Sequence, residues 1–410
     1  DLRMVQEAAE GARVINLVNL FLLNAIKDGA SDIHIEPDIG LSRIRYRLDG
    51  ALHEVMTPRA DLHPAIVSRL KVMAKMDIAE RRMPQDGRIR VLVEDNEVDL
   101  RVSTMPTVMG EKLVIRLLDK NRMNLDINGS GFHPEVLGKV KMILKKPHGM
   151  MLVTGPTGSG KTTTLYSGLA FISTIEKNIV TIEDPVEYQL PIVNQVQVHE
   201  DQGLTFAKTL RSVLRQDPDI VMVGEIRDRD TAEVAVQAAL TGHLVLSTLH
   251  TNESAGAIPR LVEMGIEPFL LSASIIAVVA QRLVRGVCPG CVTTYFPPLE
   301  LLNRIQWKGD NKSFVTGRGC DQCFDSGLRG RIGIFELLEV TEELQGIIAK
   351  EPMVDSIRRC SVRAGMRTLK DEAFRIVEEN RTTLEEVLRV VFVEETSDLE
   401  ASLERIPAGG

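Results

Sequence analysis

The sequence predicts an α/β protein whose larger domain is a parallel sheet flanked by helices and whose smaller domain precedes it. Three observations lead to this fold class. A glycine-rich motif lies between an apolar run and a helical segment, and two later apolar runs end in carboxylates. From His133 onward, strand-like and helix-like segments alternate. Parallel sheets require this order, because each crossover between parallel strands needs a long connection, usually a helix.

Length and composition indicate a globular protein of several domains. The chain has 410 residues, of which 44% are hydrophobic and 26% charged, with a net charge of -8. This acidic balance gives no global electrostatic reason to expect nucleic-acid binding. The longest apolar runs, residues 20–23 and 269–280, are shorter than the ~18 residues that a membrane span needs. The charged start does not resemble a signal peptide, so we expect a cytoplasmic protein, and the missing initiator Met suggests a fragment of a longer chain.

Residues 1–120 are predicted to form the smaller α/β domain. Residues 13–27 are amphipathic at helical spacing, residues 61–76 predict a second helix, and Asp49 and Gly50 are a turn signal. Strands are predicted from apolar alternation over residues 33–36, 43–48, 98–103 and 112–117.

The polar, glycine-rich residues 121–131 are predicted to be a linker to the second domain, residues 132–410. Within that domain, residues 340–393 follow a helical pattern. The charged residues 394–410 end in glycines, and we expect them to be frayed.

The motif GPTGSGKT at residues 155–162 matches the phosphate-binding pattern GxxxxGK[ST] at every fixed position. In such a loop, backbone N–H groups converge on the phosphates, Lys161 contacts the terminal phosphates and the Thr162 hydroxyl ligates Mg²⁺. The apolar run before it and the helical residues 163–175 after it favour this interpretation over an ordinary glycine-rich turn. The larger domain is therefore predicted to be a P-loop NTPase domain. Its predicted nucleotide contacts are Gly155, Pro156, Thr157, Gly158, Ser159, Gly160, Lys161, Thr162 and Thr163.

Two apolar runs are predicted to deliver carboxylates to the nucleotide. Residues 220–223 are followed by Gly224 and Glu225, as in a Walker B strand whose usual Asp is replaced by glycine. Glu225 is then left to polarise water or to hold Mg²⁺ through its hydration shell. The second run ends in the acidic residues 183–187. Glu183 and Glu187 are predicted to organise the attacking water, the alternative being a solvated strand end.

Two histidines, His243 and His250, bracket the apolar strand of residues 244–247. A lone histidine is usually structural. Two at the ends of one strand beside a nucleotide are predicted to sense or transmit the γ-phosphate.

Four cysteines form two CxxC pairs, Cys288 with Cys291 and Cys320 with Cys323, separated by 28 residues. Four thiolates at this spacing predict a structural Zn²⁺ site within residues 284–330. Disulfides are the alternative, and a cytosolic location makes them improbable. Cys360 is expected to be a small buried apolar residue.

The motifs together resemble the type II/type IV secretion ATPase family. The resemblance rests on the phosphate loop GPTGSGKTTT, the acidic box TIEDPVE, the segment LRQDPDIVMVGEIRD, the histidine box TGHLVLSTLHTN and the four cysteines. SDIHIEP and RRMPQDGRI resemble the second N-terminal domain of that family. The resemblance covers essentially the whole chain. It implies a RecA-like ATPase domain preceded by a PAS-like α/β domain.

The resemblance also implies activity and partners. Members are homohexameric rings, anchored to an inner-membrane platform protein, that hydrolyse ATP with Mg²⁺ to drive pilin or pseudopilin out of the membrane. They are peripheral to the membrane and do not span it. The four cysteines favour the assembly or secretion branch over pilus retraction. We expect type IV pilus assembly, with type II secretion as the alternative, and the family's preceding membrane-docking domain has no counterpart here.

Five arginines take roles from the resemblance alone. Arg101 and Arg116 match positions that reach from the N-terminal domain toward bound phosphates, while Arg211, Arg215 and Arg227 match positions at or near subunit contacts and the nucleotide. Without the resemblance, salt bridges or strand-edge solvation would be the ordinary interpretation.

Two other functional classes stay open. A RecA-like nucleic-acid motor would use the cysteine pairs as a nucleic-acid module, but aromatic residues interleaved with Lys and Arg are absent, and no nucleic acid is expected. A scaffold that binds ATP without turnover has no need of Glu225.

Overall fold

A computed structural model describes residues 2–93, 96–119, 125–307, 309 and 313–391. The chain divides into two compact units, Asp1–Met123 and Asn124–Gly410. The expected frayed tail, residues 394–410, and the first part of the expected linker, residues 121–124, lie outside the described residues.

The first unit contains one antiparallel sheet and two helices. Its strands have the order β3-β2-β1-β6-β5-β4. Alternate side chains of these strands, such as Ile33, Ile44 and Leu100, pack with Phe21 and Ile66 of the helices in one core. The elements are α1 (Leu2–Asp28), β1 (Asp32–Asp38), β2 (Leu41–Leu48), β3 (Ala51–Met56), α2 (His63–Met73), β4 (Gln85–Val93), β5 (Asn96–Thr107) and β6 (Gly110–Asp119).

The second unit contains a seven-stranded sheet of order β15-β12-β7-β11-β10-β8-β9 and a separate pair, β13 and β14. Its elements up to the sheet's last parallel strand are α3 (Pro134–Leu144), β7 (Gly149–Thr154), α4 (Lys161–Ile172), β8 (Ile179–Glu183), β9 (Val193–Gln197), α5 (Phe206–Val213), β10 (Ile220–Val223), α6 (Arg229–Leu240), β11 (Leu244–Leu249), α7 (Ala257–Glu263), α8 (Pro268–Ser274) and β12 (Ile275–Val287). The rest are β13 (Val292–Tyr295), α9 (Leu299–Arg304), β14 (Phe314–Gly317), β15 (Leu328–Glu339), α10 (Glu342–Lys350), α11 (Val354–Arg363), α12 (Leu369–Glu378) and α13 (Leu384–Val391).

The sheet is parallel from β12 to β9, as predicted, but β15 pairs antiparallel with β12. The predicted parallel sheet is therefore confirmed from β12 to β9, and β15 adds an antiparallel strand at its edge. The segment between β12 and β15 carries the four cysteines, α9 and the β13–β14 pair.

Every residue of β7, β8, β10 and β11 is buried. Helices covering both faces of a parallel sheet produce such continuous apolar strands. In register, Val223 lies beside Ser247 and Leu249 beside Thr154, so the carboxyl ends of these strands meet at one sheet edge. Among the helices in the described ranges, none is long and apolar enough to cross a membrane.

Candidate active site

The phosphate loop connects β7 to α4 at the carboxyl edge of the sheet. Gly155, Gly158 and Gly160 have φ angles of 150°, 79° and 87°, which only glycine adopts without strain. Space is also limiting. A Cβ on Gly155 would lie 2.5 Å from the carbonyl oxygen of Gln281, and one on Gly160 would lie 2.8 Å from Gln281 Nε2. A larger residue at position 155 or 160 would therefore push the phosphate loop away from β12.

Side chains of the loop fit a bound triphosphate. Lys161 Nζ donates to the carbonyl oxygens of Gly155 and Pro156 at 2.9 and 3.0 Å. Burial lowers the pKa of Lys161, while Glu225 raises it. The Ser159 hydroxyl is buried and has no hydrogen-bond partner among the described residues. An orphaned donor beside a lysine suits an anion.

Two exposed hydroxyl groups follow the phosphate loop. Thr162 and Thr163 are exposed in the first turn of α4, beside the helix N-terminus that favours anions. Thr162 would hold Mg²⁺ there.

Glu225 follows β10 at the same sheet edge. Its Oε1 lies 2.6 Å from Arg227 Nη2, and its Oε2 lies 3.5 Å from His250 Nε2. The Glu225 side chain is only 14% exposed. Two cationic or polar partners thus hold one carboxylate in a fixed position near the phosphate loop, where it could accept a proton from water.

The position of the missing Walker B Asp is crowded. A Cβ on Gly224 would lie 3.2 Å from the carbonyl oxygen of Ile182 on β8. The Thr248 hydroxyl donates to the Gly224 carbonyl at 2.7 Å. Glycine is therefore the residue that fits between β8 and β11, and Glu225 is left as the carboxylate at this strand end.

Glu183 is enclosed rather than exposed to solvent. The Tyr166 hydroxyl donates to its Oε2, and Thr181 Oγ1 and Gln195 Nε2 donate to its Oε1 at 2.6 and 3.0 Å. Burial raises the pKa of Tyr166, and Glu183 adds to the shift. These bonds link α4 to β8 and β9, so they do not support the predicted contact of Glu183 with the attacking water. Glu187, half-buried in the loop after β8, keeps that role as a prediction.

His243 lies at the wrong end of its strand. Its carbonyl oxygen accepts from the Gly149 N–H at 3.1 Å, at the start of β7. The phosphate loop begins after the end of β7, roughly 20 Å farther along the strands at 3.3 Å per residue. The His243 ring instead bonds to the Ala238 carbonyl at 3.0 Å. The prediction that His243 contacts the nucleotide bound by its own chain is wrong, whereas His250 lies at the carboxyl edge beside Glu225.

The three arginines of the second unit that were predicted to have a role, Arg211, Arg215 and Arg227, are exposed. Arg211 and Arg215 lie at the end of α5 and just beyond it, and Arg215 Nη1 donates to the Arg211 carbonyl at 2.8 Å. Among the described residues neither bonds to the phosphate loop, and their role at subunit contacts stays a prediction. Arg227 is tied to Glu225.

Arginines also form a row across the sheet of the first unit. Strand register places Arg47 and Arg116 on either side of Asp32, Arg101 opposite Arg116, and Arg88 opposite Arg101. Arg116 Nε lies 3.1 Å from Asp32 Oδ1 and its side chain is 61% exposed. Like charges directly opposite one another destabilise a sheet. Asp32 offsets part of this repulsion by pairing with Arg116 and, at 3.7 Å, with Arg47, and contact of the row with bound phosphates stays a prediction.

The four CxxC cysteines converge, although 28 residues separate the pairs. All four Sγ atoms lie within 4.8 Å of one another, and the distances 288–320, 291–323 and 320–323 are 3.9, 3.8 and 3.7 Å. A tetrahedron with Zn–S bonds of about 2.3 Å has S–S edges of about 3.8 Å. The sulfurs therefore fit Zn²⁺. Cys360 is buried elsewhere, as expected.

We expect zinc at this site to be structural. Four thiolates leave no coordination position for water. Protein purified under reducing conditions should contain about one zinc per chain by elemental analysis. Chelation should speed hydrogen exchange in residues 288–323 and leave ATP chemistry without a direct loss. Absence of zinc, with all four cysteines freely alkylated, would overturn the assignment.

A polar pair on β12 was not predicted from the sequence. Gln281 and Arg282 are 3% and 8% exposed within the otherwise apolar run of that strand. Gln281 Oε1 accepts from Thr164 of α4 at 2.7 Å. The signal that could have revealed this pair is the interruption of an apolar strand by two polar residues.

Comparison with known proteins agrees with this geometry. The family model for Type II/IV secretion system protein matches residues 7–389. The Type II secretion system protein HxcR of Pseudomonas aeruginosa is 48% identical over 94% of this chain and 78% of its own. The Type II secretion system ATPase E of Vibrio cholerae is 49% identical over 94% and 76%. The Type IV pilus assembly ATPase PilB of Myxococcus xanthus is 47% identical over 93% and 68%.

Solved structures give the same fold. The pilus retraction motor PilT with bound ADP superimposes with a TM-score of 0.60 at 26% identity, covering 90% of this chain and 95% of that one. The ATPase DotB of Yersinia pseudotuberculosis reaches a TM-score of 0.70 at 22% identity, covering 90% and 91%. The predicted α/β ATPase fold is confirmed.

Proposed function

Because this chain belongs to the Type II/IV secretion system protein family, we propose that it works as one subunit of a ring-shaped motor. The chain is an ATP hydrolase of the secretion and pilus motor class. Its finer function, as we propose it, is to drive type IV pilus assembly by promoting the polymerisation of pilin at the inner membrane.

The placement of Glu225 is the observation that carries the enzymatic part. A carboxylate held at 2.6 Å by Arg227, at the strand end beside the phosphate loop, can orient water and accept its proton. Lys161 binds the terminal phosphates, and the Thr162 hydroxyl holds Mg²⁺. When bound, that ion neutralises charge on the phosphate oxygens. His250 adds a second contact to Glu225.

The arginine row adds positive charge to that of Lys161 and Arg227 in the ATPase domain. Arg101 and Arg116 lie side by side on β5 and β6, so their guanidinium groups can stabilise a transferring phosphoryl group together. In this proposal, residues 1–120 form a PAS-like domain and residues 132–410 the ATPase domain. The linker, residues 121–131, allows them to close over ATP and reopen after hydrolysis.

We place the ring, a homohexamer, in the cytoplasm against an inner-membrane platform protein. Identity to the pilus assembly ATPase is 47% and to the secretion ATPases 48–49%. Because these identities do not separate the two functions, type II secretion is the second candidate function.

Measurements of ATP turnover, of DNA binding and of the co-purifying platform protein test the proposal. Purified protein should hydrolyse ATP only with Mg²⁺ present, and the absence of turnover with tight ATP binding would favour a scaffold. Steeply salt-dependent DNA binding would favour a nucleic-acid motor. The platform protein that co-purifies with the full-length protein should be that of a pilus machine. Recovery of a type II secretion platform instead would assign the second candidate.

A further inference from the structure

Three consecutive residues, beginning with the last residue of the histidine box, are each held by a charged side chain. Arg282 Nη2 donates to the Asn252 carbonyl at 2.7 Å. Glu336 accepts from the Ser254 N–H at 2.9 Å and from the Ser254 hydroxyl. Between them, Glu253 forms a two-point ion pair with Arg358 of α11. The segment that follows His250 is therefore fixed from β12, α11 and β15.

Arg282 also bonds to its own strand, β12, which borders the phosphate loop. Its Nη1 donates to the carbonyl oxygen of Gln281 at 3.1 Å. A Cβ added to Gly155 of the phosphate loop would lie only 2.5 Å from that same oxygen. One guanidinium therefore bridges the strand that walls the phosphate loop and the segment that carries His250.

The bridge is made by a buried cation. Arg282 is 8% exposed, and among the described residues its hydrogen bonds go to carbonyl oxygens and an amide, while Glu336 acts on it only through its charge. Its bonds go to the Gln281 and Asn252 carbonyls and, at 3.4 Å, to Asn252 Oδ1. Burial lowers the pKa of Arg282, and Glu336 raises it. A buried arginine without an ion pair is costly to folding, so its retention is better explained by the site.

We propose that Arg282 is a positioning residue of the ATPase. It holds the segment 250–254 against β12 and thereby keeps His250 beside Glu225 while the phosphate loop binds nucleotide. This inference rests on the proposed ATPase function. Since Arg282 acts through His250 and Glu225, its loss should lower turnover more than nucleotide affinity.

Two substitutions separate charge from geometry. Arg282→Gln removes the charge and one bonding point. Arg282→Lys keeps the charge, but a single ammonium group cannot donate to the Gln281 and Asn252 carbonyls at once as the planar guanidinium does. We expect kcat to fall about 10²-fold for Arg282→Gln, as small misplacements of catalytic groups do, and less for Arg282→Lys. The KM for ATP should change by less than about threefold.

Arg285 offers a matched control on the same strand. It is half-buried and pairs with Glu386 at 2.9 Å, away from the nucleotide. Arg285→Gln should lower the melting temperature as much as Arg282→Gln, because it breaks a buried ion pair, yet leave kcat of the folded protein close to wild type.

Hydrogen exchange of residues 250–256 supplies a readout that does not depend on turnover. Exchange there should be faster in Arg282→Gln than in wild type and unchanged in Arg285→Gln. Equal exchange in all three proteins, or wild-type kcat in both Arg282 variants, would overturn the inference. A wild-type protein without ATP turnover would instead refute the proposed function, and the exchange result would still decide the positioning role.

Discussion

Replacing Glu225 by Gln is expected to lower ATP turnover by about 10²-fold or more while ATP affinity stays close to wild type. The amide keeps the size of the carboxylate but cannot accept a proton from water. It also loses the charge that attracts Arg227 and His250, now 2.6 and 3.5 Å away. Lys161 and Thr162, which contact the phosphates in the proposed mechanism, are untouched.

Steady-state hydrolysis and titration with a fluorescent ATP analogue measure the two effects separately. Glu263→Gln is the matched control, because Glu263 is an exposed carboxylate that, within the described part of the chain, pairs only with Arg260 of the same helix. Lys161→Ala provides the contrasting defect, weaker nucleotide binding. Near-normal turnover of Glu225→Gln would remove Glu225 from the mechanism and turn attention to Glu187.

Replacing Arg101 by Ala should reduce turnover on the order of 10³-fold if it acts as an arginine finger. The folded state should tolerate the change, because removing one charge relieves repulsion in a row where Arg88 and Arg116 are its cross-strand neighbours. A thermal melt close to wild type, with turnover nearly lost, is the expected pair of results.

Arg90 is the control for this experiment. It lies on β4 two residues from Arg88, is 67% exposed, and pairs with Glu97 and Asp99. Arg90→Ala should therefore leave turnover unchanged. Equal turnover of Arg101→Ala and Arg90→Ala would show that the arginine row has no part in hydrolysis.

The ATPase sheet could be predicted from sequence because its signals are local. The runs at residues 150–153 and 220–223 are apolar at every position, as strands buried on both faces must be. The phosphate loop carries its own glycine requirement at Gly155 and Gly160. The position of Glu225 at the nucleotide edge of the sheet could be predicted because Glu225 comes just after such an apolar run.

The features that were missed depend on partners distant in sequence. Strands β3 and β4 were not predicted. Most of their side chains are half-buried or exposed, so neither strand has the long apolar run of a buried strand. The antiparallel return of β15 and the enclosure of Glu183 by Tyr166 and Gln195 follow from tertiary packing. His243 precedes its strand in the sequence, so the predicted parallel order already implies that it lies at the amino end of the strand, away from the phosphate loop.

The central claim is that the catalytic unit is a ring, and turnover measured against protein concentration tests it most directly. Hydrolysis per chain should be followed over a wide dilution range, with the molecular mass determined at every point. The account predicts that turnover per chain rises with concentration in step with the appearance of hexamers, since the arginine row then serves an assembled site. A monomer with full, concentration-independent activity would contradict it.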